Sequence, residues 1–391
     1  MKRVLFLTNY ASPYRVHFYD ELAKSMDVTV LFTDRVEDQK NRSADWFVPG
    51  GGAYRPVQLK RCVAHFLDEN LCLDVTEWLK KPYDAIVICG YSSPTAILAM
   101  RWLRRRKIPF YMEVDGGLIR QERKVKYLFK KSLVRKADQW LSSGRYTTEF
   151  LVHYGAEESR IHFYPFSSVF EKDILPAVPS ADEKQALKEE LGVPEKRMVL
   201  AIGQFIHRKG FDILMHAACS LGKDVGIYIV GGEPTEDYLQ MRASLRLDNV
   251  HFVGFQKKEE YLQMRASMGL DNVHFVGFQK KEALSRYYRA ADLFVLPTRE
   301  DIWGLVINEA MAYGLPVITT DRCVAGLELV EEGVNGSIVP VEDDAALAGK
   351  MKEILSSDLE KMGTASLEKI RAYTIENMAK AHVAIFEKDG R

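Results

Sequence analysis

Two carboxylates in the second half of the chain, Asp301 and Glu309, stand eight residues apart with Gly304 between them. An apolar strand pattern precedes the first carboxylate, and a helical pattern begins at the glycine. The first N–H groups of such a helix, at Gly304, Leu305 and Val306, lack partners within the helix and suit a phosphate. Glu309 follows about one and a half turns later, where it can accept hydrogen bonds from the two hydroxyls of a ribose. The alternative is an amphipathic helix with two ordinary surface acids.

This segment resembles the signature of the family-4 retaining glycosyltransferases of GT-B fold. That signature is a glutamate, seven residues, a second glutamate and then A-M-A-x-G-x-P-V-I. Here Asp301 takes the first place, Glu309 the second, and the segment Ala310–Ile318 reads AMAYGLPVI. The resemblance implies that Asp301 contacts the hydroxyls of the donor sugar and that Glu309 contacts the ribose. Aspartate is one methylene shorter than the glutamate of the family.

A second segment, eight residues long and beginning at Gly203, reads GQFIHRKG and resembles the family's G-R-L-x-x-x-K-G. In the family, the arginine and the lysine of this pattern pair with the diphosphate of the donor. The resemblance therefore implies that Lys209 binds the diphosphate and acts in catalysis. Gln204, which carries no charge, stands at the arginine position, so we expect Arg208 or His207 to supply the missing cation. The alternative for Lys209 is a plain surface lysine.

Weaker signals come from three further places. Gly231 and Gly232 follow a strand pattern, resemble the family's second glycine turn, and would let the backbone approach a ligand; alone they indicate only a turn. Relatives often carry a histidine beside the sugar where this chain has Glu113 and Asp115, and we expect Asp115 to be the catalytic residue on the acceptor side. Arg15 opens a predicted helix, where it would either meet a phosphate or lie at the surface.

The resemblance implies transfer of a sugar from a UDP- or GDP-linked donor to a glycan, a lipid-linked acceptor or another hydroxyl. It also implies retention of anomeric configuration, and neither a metal ion nor a cofactor. The N-terminal half resembles bacterial enzymes that make surface polysaccharides, such as capsule or lipopolysaccharide. The alternatives are another GT-B enzyme, such as a phosphorylase or epimerase, and a glycosyltransferase-like protein without activity. A Rossmann dehydrogenase is disfavoured because no G-x-G-x-x-G follows a strand pattern.

The candidate site residues must be positioned by strands and helices. Along the whole chain, short strand patterns alternate with helical ones. Its 391 residues suggest about two domains, and the alternation predicts two Rossmann-like, doubly wound parallel sheets that face a cleft in the GT-B fold. We expect an acceptor-binding domain over 1–168, a nucleotide-sugar-binding domain over 169–370, and a final helix in 371–391 that packs back on the first domain.

The bulk composition narrows the classes of partner and the compartment. The formal net charge is zero, which disfavours nucleic acid as a partner. The chain lacks an apolar run of about 18 residues, and its first apolar stretch reads as a strand rather than a signal peptide. The five cysteines are scattered, which fits a reducing cytoplasm and argues against zinc or disulfides. We therefore expect a cytoplasmic protein, at most resting on the inner face of the membrane.

Residues 101–136 depart from this balance, with 13 Lys and Arg against 3 Asp and Glu. Aromatic residues are interleaved with the cations. One interpretation is that these are ordinary solvated helix faces. The other is a basic surface that rests on an anionic membrane.

A tandem repeat interrupts the second half. Tyr238–Glu259 and Tyr261–Glu282 are identical at 20 of 22 positions, at an offset of 23 residues. Such close identity indicates a recent duplication, because stable repeat architectures normally contain at least about three units. Each copy predicts one helix and one strand, the third strand of its domain. In the order 3-2-1-4-5-6 that strand lies at the edge, so the extra copy either extends the sheet or is looped out.

Overall fold

The computed structural model describes residues 1–34, 52–66, 69–232, 234–253 and 281–388. The chain divides into two compact units. Unit 1 comprises Met1–Glu171 together with Ala372–Arg391, and unit 2 comprises Lys172–Arg371. Among the described residues, no helix has the length and apolar character needed to cross a bilayer.

Unit 1 contains a parallel sheet of seven strands with helices between them. The sheet order is β3-β2-β1-β6-β7-β8-β9. Its strands are β1 (Arg3–Thr8), β2 (Asp27–Phe32), β3 (Arg55–Gln58), β6 (Ala85–Cys89), β7 (Tyr111–Val114), β8 (Gln139–Ser142) and β9 (Ile161–Phe163), and β4 (Cys62–Phe66) and β5 (Glu69–Cys72) form a separate hairpin. The helices are α1 (Pro13–Leu22), α2 (Val75–Leu79), α3 (Pro94–Arg105), α4 (Lys124–Val134) and α5 (Arg145–His153).

The hairpin β4–β5 overturns one expectation from the sequence. Cys62 and Cys72 face each other across the two antiparallel strands and form a disulfide. Directly opposite residues on an antiparallel pair lie close enough for their side chains to interact. A scattered spacing along the chain could not reveal that pairing.

Unit 2 contains a second parallel sheet, of six strands in the order β12-β11-β10-β13-β14-β15. Its strands are β10 (Arg197–Ile202), β11 (Val225–Val230), β12 (Val250–Val253), β13 (Leu293–Leu296), β14 (Val317–Thr320) and β15 (Gly336–Val339). Its helices are α6 (Ala181–Leu191), α7 (Phe211–Ala218), α8 (Glu236–Ser244), α9 (Lys281–Ala290), α10 (Leu305–Ala312), α11 (Val324–Leu329), α12 (Asp344–Leu355) and α13 (Leu359–Ile370). Numbered within the unit, this order is 3-2-1-4-5-6. The predicted doubly wound parallel sheet is therefore confirmed in unit 2, and the seven-stranded sheet confirms it in unit 1.

The central strands are nearly continuous apolar runs, as expected where helices cover both faces of a parallel sheet. Every residue of β13 is buried, and five of the six residues of β10 are buried. These two neighbours occupy the point where the order of strands reverses. Their carboxyl ends form the crevice in which open α/β sheets bind ligands.

The last helix of the chain, α14 (Ile375–Lys388), belongs to unit 1. It packs against α1. Its buried side chains include Met378 and Phe386, and the Lys2 ammonium donates a hydrogen bond to the Phe386 carbonyl at 2.6 Å. The chain therefore returns to its first unit after completing the second.

The first copy of the repeat supplies α8 and β12, as the sequence predicts. Within the described residues β12 pairs with β11 and is the outermost strand of the sheet. Of the second copy, only Lys281 and Glu282 lie within the described residues, at the start of α9. Both alternatives for the duplication therefore stay predictions.

Candidate functional site

The turn after β10 carries the lysine that the sequence assigns to a diphosphate. Gly203, the first residue of the turn, has a φ of +156°, and a Cβ there would lie 3.2 Å from Lys209 Cε. Gly210, the last, has a φ of +67°, and a Cβ there would lie 2.0 Å from the Pro297 carbonyl oxygen. Only glycine fits at Gly210. The close approach of the turn to the end of β13 sets where Lys209 stands.

Lys209 meets Asp301 across the carboxyl ends of β10 and β13. The Lys209 ammonium donates to Asp301 Oδ2 at 2.6 Å, and the two side chains are 12% and 13% exposed. Arg208 lies beside them: its guanidinium donates to the Glu300 carbonyl at 2.7 Å and is 3.4 Å from Asp301 Oδ2. Two cations and one carboxylate thus occupy the crevice at the switch point of the sheet.

The start of α10 lies just beyond this cluster. Gly304 has a φ of +103° and a Cβ there would lie 2.7 Å from Cys323 Sγ, so both conformation and space require glycine. Leu305 and Val306 form the first turn of the helix, and the N–H of Ile307 donates to the Gly304 carbonyl at 2.8 Å. The helix N-terminus carries the positive end of its dipole, which favours an anion.

Glu309 occupies the second turn of α10 and is held by Tyr288 of α9. The Tyr288 hydroxyl donates to Glu309 Oε2 at 2.9 Å, and the Tyr288 ring stacks on Tyr313 with centroids 5.0 Å apart. Burial, reinforced by the Glu309 carboxylate, raises the pKa of Tyr288 well above its usual value. Tyr288 therefore stays protonated, and its hydrogen bond fixes the orientation of the carboxylate.

The two glycine turns of unit 2 are in contact. Gly231 has a φ of +144°, and a Cβ there would lie 2.2 Å from the Gly203 carbonyl oxygen. Gly232 has a φ of +125°, and its Cβ position would meet nothing within 4 Å. Gln204 is exposed, and its carbonyl accepts a hydrogen bond from the N–H of Ile206 at 2.8 Å. The residues that the sequence groups around a donor are thereby gathered at one edge of the sheet.

Arg299 is a residue of this site that the sequence does not single out. Its Nη1 and Nη2 donate to the two oxygens of Asp212 at 2.8 and 2.6 Å. Nη1 also donates to the His207 carbonyl at 2.7 Å, and Nη2 to Glu342 Oε2 at 3.0 Å. Arg299 thus braces the turn that carries Lys209, and a charged residue in a loop offers no sequence signal for such a role.

In unit 1 a second charged cluster surrounds Asp115. Arg15 Nη1 donates to both oxygens of Glu113 at 3.0 and 2.9 Å, and its Nη2 to both oxygens of Asp115 at 2.6 and 2.7 Å. The Tyr164 hydroxyl adds a hydrogen bond to Asp115 Oδ1 at 2.9 Å. Arg15 is only 4% exposed. The expectation of a phosphate-binding or surface arginine is therefore wrong, because both ends of its guanidinium bind carboxylates.

The two carboxylates of this cluster differ in their surroundings. Burial opposes the charge of Glu113, yet Arg15 and then His382 outweigh it and lower its pKa to about 2. Burial raises the pKa of Asp115, and the Glu113 charge adds to that effect. The Asp115 side chain is 23% exposed, whereas that of Glu113 is fully buried. Asp115 is accordingly the carboxylate of the cluster that a solute can approach.

Three family models match the chain. The model described as glycosyl transferase 4-like domain matches residues 11–166, and two models described as glycosyl transferases group 1 match residues 183–268 and 256–357. The chain belongs to the family-4, group 1 glycosyltransferases. The two models of the second half meet inside the repeated segment.

Curated relatives match part of the chain. It is 31% identical over 240 residues to the D-inositol 3-phosphate glycosyltransferase of Xylanimonas cellulosilytica, which covers 59% of the chain and 51% of the relative. It is 24% identical to an uncharacterized 41.2 kDa protein in the cps region of Klebsiella pneumoniae, over 60% of the chain and 56% of the relative. The chain thus spans about half the length of the relatives it matches.

Solved structures match almost all of the glycosyltransferase chain. Sucrose-phosphate synthase from Thermosynechococcus elongatus has a TM-score of 0.69 at 20% identity, covering 99% of both chains. Anabaena Alr3699/HepE in complex with UDP and glucose has a TM-score of 0.67 at 17% identity, over 99% of this chain and 100% of the other. WaaG, a glycosyltransferase of lipopolysaccharide biosynthesis, has a TM-score of 0.62 at 16% identity, over 98% and 99%. The predicted GT-B fold class is confirmed.

Proposed function

We propose that the chain is a retaining, metal-independent glycosyltransferase that moves a sugar from a nucleotide diphosphate sugar to a hydroxyl acceptor. The observation that carries the proposal is the position of the Lys209–Asp301 pair. It lies at the switch point of the unit 2 sheet, and the first turn of α10 begins four residues after Asp301, at Leu305. A phosphate needs cations and N–H donors, and a sugar needs a carboxylate; this crevice offers all of them.

Each residue has a role that follows from its chemistry. Lys209 and Arg208 neutralise the charge that grows on the leaving diphosphate, and the N–H groups of Leu305 and Val306 donate to its oxygens. Preorganised charge of this kind accounts for most of the rate enhancement in many enzymes. Glu309, oriented by Tyr288, accepts hydrogen bonds from the ribose. Because the protein itself supplies the positive charge, the proposal needs no metal ion.

The Lys209–Asp301 ion pair gives the crevice a way to respond to its ligand. When the Lys209 ammonium binds a diphosphate instead, Asp301 loses its nearest cation. Its carboxylate is then available to accept hydrogen bonds from the hydroxyls of the donor sugar. Arg208, whose guanidinium is 3.4 Å from Asp301 Oδ2, then remains as the nearest cation to that carboxylate. Asp301 therefore serves the sugar, although it is shorter than the family's glutamate.

On the acceptor side we propose Asp115. Arg15 and Tyr164 fix the orientation of its carboxylate, which stays partly exposed and can accept a hydrogen bond from an acceptor hydroxyl. The relative in a cps region and the likeness to WaaG, a glycosyltransferase involved in lipopolysaccharide biosynthesis, support a proposed role in making a bacterial surface polysaccharide. The complex of HepE with UDP and glucose supports a UDP-linked donor first, with GDP-linked donors as the alternative.

A panel of UDP-, GDP- and ADP-sugars in a thermal-shift assay tests the donor. A ligand at about 100 times its Kd stabilises a protein by about 2.7 kcal/mol, so one nucleotide class should raise the Tm well above the others. NMR of the product then reports the anomeric configuration, and turnover in EDTA tests metal independence. Donor binding without transfer to any acceptor would instead support a protein that the duplication has inactivated.

Glu309→Ala tests the site itself. We expect at least a tenfold loss of donor-dependent activity, about 1.4 kcal/mol of transition-state binding, with the fold retained. Glu368→Ala, an exposed glutamate on α13, is the matched control and should keep full activity. Full activity in the Glu309→Ala variant would reject the assigned site.

A further inference from the structure

Helix α4 of unit 1 presents an apolar stripe to solvent. Val125 is 80% exposed, Leu128 is 51% exposed and Phe129 is 52% exposed. Residues at spacings of three and four share one face of a helix, so these three side chains form a continuous strip. The opposite face is the one that packs on the unit, through the partly buried Tyr127 and the buried Val134.

Cations border this stripe on both sides. Lys124 and Lys126 precede and follow Val125, and at about 100° per residue they project to opposite flanks of the stripe. Both are exposed, as are Arg120 and Arg123 in the segment that leads into the helix. An exposed apolar strip between two basic flanks is the composition of helices that lie in a membrane interface.

The acidic residues of this region do not offset its charge at the surface. Of the three acids in residues 101–136, Glu113 is buried and Asp115 is bound to an arginine of α1. The third, Glu122, has a side chain only 8% exposed, and it forms an ion pair with Lys130 at 2.9 Å. The 13 Lys and Arg of residues 101–136 thus outnumber the acids of the same segment, although the chain as a whole has a formal net charge of zero.

We propose that α4 and the segment leading into it dock unit 1 on the surface of an anionic phospholipid bilayer. The exposed leucine, phenylalanine and valine enter the boundary between headgroups and acyl chains, and the flanking lysines and arginines bind the lipid phosphates. The assignment goes beyond sugar transfer and does not depend on it.

The same observations favour a bilayer over other occupants. A helix that binds a protein groove needs a partner of fixed shape, and this apolar stripe is short for such a contact. The cations lie on both flanks of the stripe, an arrangement that suits a planar anionic surface. A soluble polyanion such as RNA would account for the cations but not for three apolar side chains left in water. The apolar stripe and the cations together match a lipid surface.

Vesicle cosedimentation of the full chain tests the proposal. We expect binding to vesicles of 70% phosphatidylcholine and 30% phosphatidylserine at about 0.1 M salt, weaker binding as salt rises, and little binding to phosphatidylcholine alone. Each lysine near an anionic surface contributes about fivefold in partitioning, so the double variant Lys124→Gln/Lys126→Gln should bind about 25-fold more weakly. Leu128→Ser/Phe129→Ser should bind at least about tenfold more weakly.

The control is Val334→Ser/Lys352→Gln, which removes one exposed apolar residue and one exposed cation from unit 2. It should bind vesicles like the unchanged protein, and circular dichroism should show that all variants fold. Absence of binding to anionic vesicles, or equal binding by the Leu128→Ser/Phe129→Ser variant, would overturn the proposal. So would tight binding of a fluorescent RNA oligomer that depends on the lysines alone, with no binding to vesicles.

Discussion

Replacing Arg299 by methionine should remove the hydrogen bonds that hold the turn carrying Lys209 against the loop after β13. Arg299 is 14% exposed and joins three groups: the Asp212 carboxylate, the Glu342 carboxylate and the His207 carbonyl. Methionine retains most of the apolar volume and removes every one of these hydrogen bonds. The substitution therefore separates the contribution of the hydrogen bonds from that of side-chain packing.

The loss in the free energy of unfolding depends on how well solvent can rehydrate the carboxylates that Arg299 leaves unpaired. A hydrogen bond to a charged group contributes about 1.5–3 kcal/mol when it is buried. Asp212 is 24% exposed and Glu342 is 52% exposed, so both recover part of their hydration. We expect a net loss of about 2 kcal/mol, which corresponds to a Tm about 4–8 °C lower for a unit of this size.

The effect on activity should exceed the effect on stability. Arg299 binds the carbonyl of His207, two residues before Lys209, so its loss lets the ammonium move away from the position proposed for binding the diphosphate. A displacement of about 1 Å can cost about a hundredfold in rate. We expect kcat/KM for the donor to fall between about tenfold and a hundredfold at a temperature where the variant is fully folded.

Three variants make the assay decisive. Arg299→Lys keeps the charge but cannot bind Asp212 through two parallel hydrogen bonds, so it should recover less than half of the lost transition-state free energy. Arg286→Met, which removes an exposed ion pair with Glu190 on the same unit, should leave kcat/KM within twofold. If Arg299→Met lowers the Tm as expected while kcat/KM stays within twofold, the arginine only stabilises the fold and the positioning argument is refuted.

Three further substitutions test separate contacts. Tyr288→Phe removes the hydrogen bond to Glu309 and should raise the KM for the donor about tenfold with little change in kcat; an unchanged KM would contradict the orienting role. Arg15→Met leaves the buried Glu113 carboxylate and the partly exposed Asp115 carboxylate without their cation and should cost about 3–5 kcal/mol near pH 7 by chemical denaturation. In the unchanged protein the pKa of Glu113 is lowered from 4.5 to about 2, so its contribution is complete above pH 4.5 and is lost as pH falls towards 2; the penalty of Arg15→Met should therefore shrink below pH 4.5, and a penalty constant with pH would contradict this. Arg246 adopts the left-handed conformation, with a φ of +53°, which glycine adopts without steric strain. Arg246→Gly should therefore raise the free energy of unfolding of unit 2 by about 0.5–1 kcal/mol. A lower free energy of unfolding would contradict this.

The last of these substitutions is one that the chain itself contains. The two copies of the repeat differ at two positions, and where the first copy has Arg246 the second has Gly269. In the first copy this residue joins α8 to β12, with the N–H of Leu247 donating to the Arg242 carbonyl at 3.1 Å. A left-handed residue after a helix is the usual place for glycine. The second copy therefore has the better sequence for the joint that the first copy makes.

Much of the fold could be predicted because its signals are local. Apolar runs separated by helical patterns predict parallel strands, and the strand order of a doubly wound sheet follows from few topological rules. The disulfide between Cys62 and Cys72 and the buried role of Arg15 could not be predicted. Arg15 meets its two carboxylates about a hundred residues further along the chain, and no local pattern marks such a pair.

The residues proposed for the donor in unit 2 and the residue proposed for the acceptor in unit 1 differ in how far the sequence marks them, and the difference is physical. A diphosphate is bound largely by backbone N–H groups and by a chain that approaches it closely, which leaves glycines at fixed places. Gly210 and Gly304 are such places: each has a positive φ, and a Cβ at either would lie within 3 Å of a neighbouring atom. The contact proposed for the acceptor is made by a side chain, and Asp115 is one carboxylate among the 54 acidic residues of the chain. What marks it is Arg15, 100 residues earlier in the chain, so Asp115 can be singled out only once the fold of unit 1 has brought the two together.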